Sequence, residues 1–162
     1  MTRVCLVGAD DVDLRAELLA SETARDALAS YDLEQPWANC VAVDTISIGA
    51  AVSLCNDLNW YLRRYVADAL VLEPSVSEHE WLSRSLATAV RNERVDPGET
   101  GTFLKIYGVV EPGGDDAAEG ADAPALAEPL LARRVGGETP EYDLREVADT
   151  VVVRITPEEF GT

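Results

Sequence analysis

The chain has 162 residues, the size of a single ordinary domain, and 47% of them are hydrophobic, which excludes an intrinsically disordered protein. Its 30 acidic residues outnumber the 13 basic ones, giving a net charge of -17, and Lys105 is the only lysine. Concentrated salt screens the self-repulsion of such a surface, so the composition predicts a halophilic, cytoplasmic protein. The large negative net charge also disfavours DNA, which is itself a polyanion, as a partner.

The first half of the chain alternates strand-like and helix-like segments. Residues 3–9 form an apolar run rich in β-branched residues, which predicts a central strand covered on both faces. Apolar residues at helical spacing predict a helix over 12–31, a strand follows over 39–46, and a second helix covers 47–66. This alternation predicts parallel pairing of the first strands.

A helix-capping signal follows the third predicted strand, residues 69–73. Ser77 has the residue type of an N-cap, and Glu80 stands three residues later, as in a capping box. We therefore predict a third helix over residues 77–93.

The second half of the chain consists mainly of strand-like segments, over residues 102–110, 129–135 and 149–156. A short helical turn is expected over 142–147, and residues 112–128 have the composition of a flexible acidic loop. The whole chain is thus predicted to form one α/β (α+β) domain, with a mixed sheet of about six strands and three main helices.

No motif for a metal, a nucleotide or a serine hydrolase occurs in the sequence. The three cysteines, Cys5, Cys40 and Cys55, form no C-x-x-C pair and are expected to be buried thiols in a reducing compartment. The sole histidine, His79, is expected to face solvent. No signal peptide and no run of about 18 apolar residues is present, so we predict a cytoplasmic protein without membrane association. Because no catalytic or cofactor motif occurs, we expect no cofactor, and the sequence favours a protein that is not an enzyme while leaving a catalytic alternative open.

The most informative segment lies on the second predicted helix and combines aromatic, amide and guanidinium groups. The side chains that we expect to share one exposed face are Asn56, Asn59, Trp60, Arg63 and Arg64. Because Trp and Arg are enriched where proteins bind each other, this face predicts a binding or regulatory protein that docks a macromolecular partner, more readily a protein than RNA.

Two other interpretations of this segment stay open. Trp60 can pack under a neighbouring loop while Arg63 and Arg64 pair with local acids, which would make the segment purely structural. Alternatively, Trp60 and Tyr61 can stack on bases while the two arginines contact an RNA or a ribonucleoprotein.

A third alternative concerns four acidic residues at the predicted carboxyl ends of the first strands. If those strands are parallel, Asp10, Asp11, Asp44 and Glu73 converge at one edge of the sheet and form a ligand site. Such a crevice would bind a small molecule or a metal and would allow catalysis.

Three further basic residues lie on predicted strands. Arg133 and Arg134 are neighbours, so strand alternation sends their side chains to opposite faces of the sheet. Lys105 is flanked by apolar residues, and we interpret it as an edge-strand charge that blocks unwanted sheet pairing.

Four stretches of the chain resemble an uncharacterised protein family of haloarchaea. They are the segments 56–62 (NDLNWYL), 80–84 (EWLSR), 142–145 (YDLR) and 153–156 (VRIT). The resemblance implies a halophilic source; it implies no activity and no set of catalytic residues.

Overall fold

Eight strands and six α-helices occupy residues 1–110, 124–134 and 149–161, which are the residues described by this computed structural model. The strands are β1 (Thr2–Gly8), β2 (Cys40–Thr45), β3 (Val66–Leu72), β4 (Trp81–Ser83), β5 (Phe103–Val110), β6 (Ala125–Leu126), β7 (Leu130–Arg133) and β8 (Asp149–Ile155). The helices are α1 (Leu14–Ala20), α2 (Glu22–Leu28), α3 (Ile48–Asp57), α4 (Asn59–Tyr65), α5 (Arg84–Arg91) and α6 (Pro157–Phe160), with a short 3-10 helix at Pro97–Glu99.

All eight strands belong to one mixed sheet in the order β2-β1-β3-β4-β8-β5-β6, and β7 pairs with β5 beside β6. The pair β4–β8 is parallel, and the other ladders of the described residues are antiparallel. The predicted mixed α+β domain is therefore confirmed, although two short strands, β4 and β6, raise the strand number above the predicted six. The helical turn predicted at 142–147 lies outside the described residues.

The sheet curls so that its two faces have different neighbours. One face, which includes Leu6 and Val71, packs against the helices and forms the larger part of the core. On the opposite, inner face, Cys40 of β2 and Tyr107 of β5 belong to the same buried cluster, although these strands lie far apart in the sheet order. The curl is completed where Ala38 N donates a hydrogen bond of 2.8 Å to Pro124 O.

The predicted parallel pairing of the first strands is wrong, because β1 is antiparallel to both of its neighbours. The first predicted helix, 12–31, is broken by Ser21, which has an extended backbone and hydrogen-bonds to the Tyr61 hydroxyl. Two seven-residue helices of about 10 Å each do not carry the chain back along the sheet, so β2 begins at the end where β1 stops. The helices α3 and α4 do cross the sheet, so β2 and β3 run in the same direction with β1 between them.

The predicted third helix, 77–93, begins seven residues later than expected. Ser77 Oγ does accept the Glu80 backbone N–H at 3.0 Å, but this turn leads into β4. Helix α5 begins at Arg84 instead, and Ser83 is its N-cap, with its Oγ accepting the Leu86 N–H at 3.2 Å. A strand replaces the first turns of the predicted helix because Leu82 is fully buried in the sheet between β3 and β8.

None of the helices in the described residues has the length and apolar character needed to cross a membrane.

Candidate functional site

The exposed indole of Trp60 lies at the start of α4, where the predicted helix 47–66 bends. Leu58 is buried and has φ -94° and ψ 5°, so the chain leaves the ideal helical path between α3 and α4. About half of Trp60 (53%) is accessible to solvent. The structure therefore does not bury Trp60 under a loop, in contrast to the purely structural interpretation of this segment.

Three neighbours on the same helix hold the indole in place. The guanidinium carbon of Arg64 lies 4.2 Å from the centroid of the Trp60 ring, a cation–π contact. The rings of Tyr61 and Tyr65 approach it edge to face, with centroids at 5.0 and 6.2 Å. Trp60 is thus a large apolar side chain in a defined orientation at the surface, which lowers the entropy lost when a partner covers it.

The two asparagines of the predicted stripe are held by an arginine of another helix. Arg84, the first residue of α5, donates from Nη1 to Asn59 Oδ1 at 2.9 Å and from Nη2 to Asn56 Oδ1 at 3.1 Å. Arg84 Nη2 also reaches the carbonyl oxygen of Cys55 at 3.4 Å. Arg84 donates to both amide oxygens, and within the part of the chain that the structure describes the Asn59 Nδ2 group forms no hydrogen bond, so it is available as a donor.

Four of the five residues predicted on this face line one cleft. Asn59, Trp60, Arg63 and Arg64, all on α4, border an open surface depression of about 430 Å³, which we call the Trp60 cleft. Asn56 is exposed but is not part of the lining. Within the described part of the chain, neither Arg63 nor Arg64 forms an ion pair with a carboxylate.

The four acidic residues of the alternative ligand site do not converge. Asp10 and Asp11 follow β1 and line a separate groove with Asn39, whereas Asp44 and Glu73 lie at the opposite end of the same strand, beside Arg3 and Thr2. The cause is the antiparallel pairing of β1, which reverses the direction that the prediction required. No group of three potential metal ligands occurs among the described residues.

Local partners hold the two acids at the far end of β1. Asp44 Oδ1 lies 3.6 Å from Arg3 Nη1 across the β1–β2 ladder. Glu73 accepts hydrogen bonds from the Thr2 hydroxyl and from the Ser75 backbone N–H. Burial raises the pKa of the Glu73 carboxyl, but hydrogen bonds from Thr2 and Ser75, together with the charge of the N-terminus, outweigh burial and hold its pKa below the usual value.

A polar cluster inside the curled sheet was not predicted. Lys105 Nζ lies 3.1 Å from Asp68 Oδ2, and the Tyr107 hydroxyl donates to the same oxygen at 2.7 Å. Lys105 therefore does not guard an edge strand, because β5 lies between β8 and β7 and sends this side chain inward. Burial, and then the charge of Asp68, raise the pKa of the Tyr107 phenol, so this group remains a hydrogen-bond donor.

A second network joins four distant parts of the chain. Glu80 accepts from Arg134 Nη2 at 2.8 Å and from Arg154 Nε at 2.8 Å, and Arg154 Nη1 donates to Thr100 Oγ1 at 2.9 Å. Arg133, by contrast, lies over Phe103 with its guanidinium carbon 5.7 Å from the ring centroid. Glu80 is thus a structural cross-link, while its neighbour His79 is exposed, as predicted.

The comparisons with known proteins identify the family of the chain. The model of a family of unknown function, DUF5804, matches residues 2–109, and the chain belongs to this family. No curated protein and no solved structure matches it.

Proposed function

We propose that this member of the family is a non-enzymatic binding protein that docks a partner protein at the Trp60 cleft. The observation that carries the proposal is the exposed Trp60 ring, held under the Arg64 guanidinium with no ion pair from a described carboxylate. Tryptophan and arginine together are the residues that most often supply the energy of protein–protein binding.

The size of the cleft supports a local contact at the centre of a larger interface. A volume of about 430 Å³ accommodates a few side chains of a partner. A specific protein interface buries about 800 Å² on each partner, so residues around the cleft would complete it. Trp60 and Arg64 would form the buried centre, and the polar residues of α3 and α4 would form the rim.

We further propose that the protein works in the cytoplasm of a salt-loving archaeon. The net charge of -17 and the resemblance of four segments to a haloarchaeal family support this proposal. Concentrated salt weakens long-range charge attraction between partners, which favours an interface with an aromatic centre.

The test compares partner recovery by three forms of the tagged protein in lysate of a halophilic host at high salt. Wild type, Trp60→Ala and the control Ile46→Ala are used, because Ile46 is also a large exposed apolar residue, at 84% accessibility, outside the cleft. We expect Trp60→Ala to lose a partner that wild type and Ile46→Ala both recover. Equal recovery by all three forms would contradict the proposal.

RNA is the second candidate for this surface, and the same experiment distinguishes it. Each lysate is divided, and one half is treated with nuclease before capture. A partner protein whose recovery survives nuclease supports direct protein docking. If nuclease treatment abolishes recovery, the cleft binds RNA instead, with bases stacked on Trp60 and Tyr61.

A further inference from the structure

We infer that the Trp60 cleft selects an acidic segment of its partner, in which a carboxylate binds the guanidinium groups of Arg64 and Arg63 beside an apolar side chain on Trp60. This inference rests on the proposed docking function and adds the chemistry of the partner.

The polar side chains that line the Trp60 cleft offer hydrogen-bond donors. Arg63 and Arg64 carry only N–H donors, and the Asn59 amide oxygen is already occupied by Arg84. Its Nδ2 group adds two more N–H bonds toward an acceptor. A carboxylate is the side-chain group that only accepts hydrogen bonds, so it complements this lining.

The orientation of Arg64 also favours a carboxylate. Its guanidinium carbon lies over the Trp60 ring, 4.2 Å from the centroid, so the indole restricts the position of the group. The N–H groups lie along the edge of a guanidinium, in a fork that matches the two oxygens of a carboxylate. Contact with the ring restricts the Arg64 side chain before the partner arrives, which favours such a two-pronged bond.

The size and charge of the site favour a peptide carboxylate over the phosphates of a nucleic acid. Single-stranded nucleic acid is usually bound along a positively charged groove that follows several nucleotides. Here two guanidinium groups line a cleft of about 430 Å³ on a chain with a net charge of -17. A short acidic peptide segment needs only a local positive site and meets less repulsion from the remaining surface than a long polyanion would.

The test uses a random heptapeptide library and a random 20-nucleotide RNA library, each applied to immobilised protein in concentrated KCl. Four forms are compared: wild type, Arg63→Ala/Arg64→Ala, Arg63→Lys/Arg64→Lys and the control Arg15→Ala/Arg25→Ala. The control removes the same charge from two exposed arginines of α1 and α2 that do not line the cleft. Circular dichroism at each salt concentration verifies that all four forms are folded.

We expect wild type and the control to enrich peptides that contain Asp or Glu next to an apolar residue. The affinity of such a peptide, measured on resynthesis, should fall about tenfold for the double alanine variant. The affinity of the double lysine variant should lie between those of wild type and the double alanine variant. Lysine keeps the positive charge but lacks the two-pronged guanidinium that binds both carboxylate oxygens. The Trp60 indole N–H signal in an NMR titration should shift on addition of the peptide, with Trp60→Phe identifying that signal.

Peptides without acid enrichment, or with equal affinity for wild type and the double alanine variant, would overturn the inference. Tighter retention of the RNA library by wild type than by the double alanine variant would also overturn it. Partner recovery from lysate distinguishes failure of this inference from failure of the proposed docking function. If Trp60→Ala loses the partner but the double alanine variant retains it, docking at the cleft stands and recognition of a carboxylate is wrong. If both variants retain the partner, docking at the cleft is wrong.

Discussion

Lys105, the only lysine of the chain, pairs with Asp68 on the inner face of the curled sheet, with 3.1 Å between Nζ and Oδ2. Both side chains are mostly covered, with 23% and 12% of their surface accessible, and Tyr107 donates a further hydrogen bond to the same carboxylate oxygen. The pair joins β3 to β5, which are not neighbours in the sheet. It therefore fixes how far the sheet curls over its own inner face.

Removing the positive charge of this pair should destabilise the fold. Lys105→Met leaves the Asp68 carboxylate covered without its cation, and we expect a loss of about 2 kcal/mol in the free energy of unfolding. Denaturant unfolding at constant salt measures it. In the double variant Lys105→Met/Asp68→Asn, which buries no charge, most of the stability should return; a double variant as unstable as the single one would refute this account.

The stability of the protein in acid should depend on Glu80. Burial raises the pKa of this carboxyl, but hydrogen bonds from Arg134 and Arg154 outweigh it and lower the pKa below the reference value of 4.5. A carboxyl whose pKa is lower in the folded state stabilises the fold above its unfolded pKa. That stability is lost as the pH falls through the folded value.

Glu80→Gln should therefore lower the stability at neutral pH and make the decline below about pH 4.5 shallower. Thermal unfolding between pH 7 and pH 3 measures both effects. The control is Glu78→Gln, which removes the same charge from an exposed neighbour. If both variants show the acid dependence of wild type, the Glu80 network does not contribute to it.

The last residue of β1, Gly8, should not tolerate a side chain. A Cβ atom there would lie 2.5 Å from Asn39 Nδ2 and 2.7 Å from the Asn39 backbone oxygen, which also accepts the Gly8 N–H at 2.8 Å. We expect Gly8→Ala to cost about 2 kcal/mol, because the backbone contact cannot be relieved by rotating a side chain. Gly98→Ala is the control, since its nearest neighbour would be 3.5 Å away, and chemical denaturation of both variants is the measurement. Equal stability of the two would contradict the steric argument.

The folded state should gain stability with salt. Raising KCl from 0.1 M to 1 M shortens the screening length from about 10 Å to about 3 Å, which weakens the self-repulsion of a net charge of -17. We expect the free energy of unfolding to increase by at least about 2 kcal/mol, which corresponds to a rise of about 4–8 °C in the thermal midpoint. A neutral osmolyte at equal osmolality is the control, and a midpoint independent of KCl would argue against adaptation of the surface to salt.

The sequence allowed the apolar strands to be predicted, and also the grouping of aromatic and arginine side chains on one helix face, because both depend on local patterns. β1, β5 and β8 lie within one residue of their predicted ends, since each is a run of apolar or alternating residues. Trp60 and its two arginines were expected on one helix face because the buried positions of the helix, such as Leu62, fix the opposite face; whether Trp60 is exposed stayed open until the structure.

The errors arose where distant residues decide the local structure. The Ser77 turn formed as predicted, but Leu82 pairs with Arg154, which is 72 positions away, so a strand replaces the first turns of the helix. Likewise, the break at Ser21 is coupled to Tyr61, and that break decides the direction of β2. No local pattern carries such pairings, and they also separated the four acids that we expected to converge.

The position of β8 shows where this domain can be divided. The last strand of the described residues lies between β4 and β5, and it supplies the backbone pairing that connects β5 to β1–β4. A fragment that ends with the family match at residue 109 would therefore have β5 separated from the sheet and the inner face, including Trp81, without its cover. A fragment of this chain therefore needs Asp149–Ile155 as well as the residues of the family match to form the core described above.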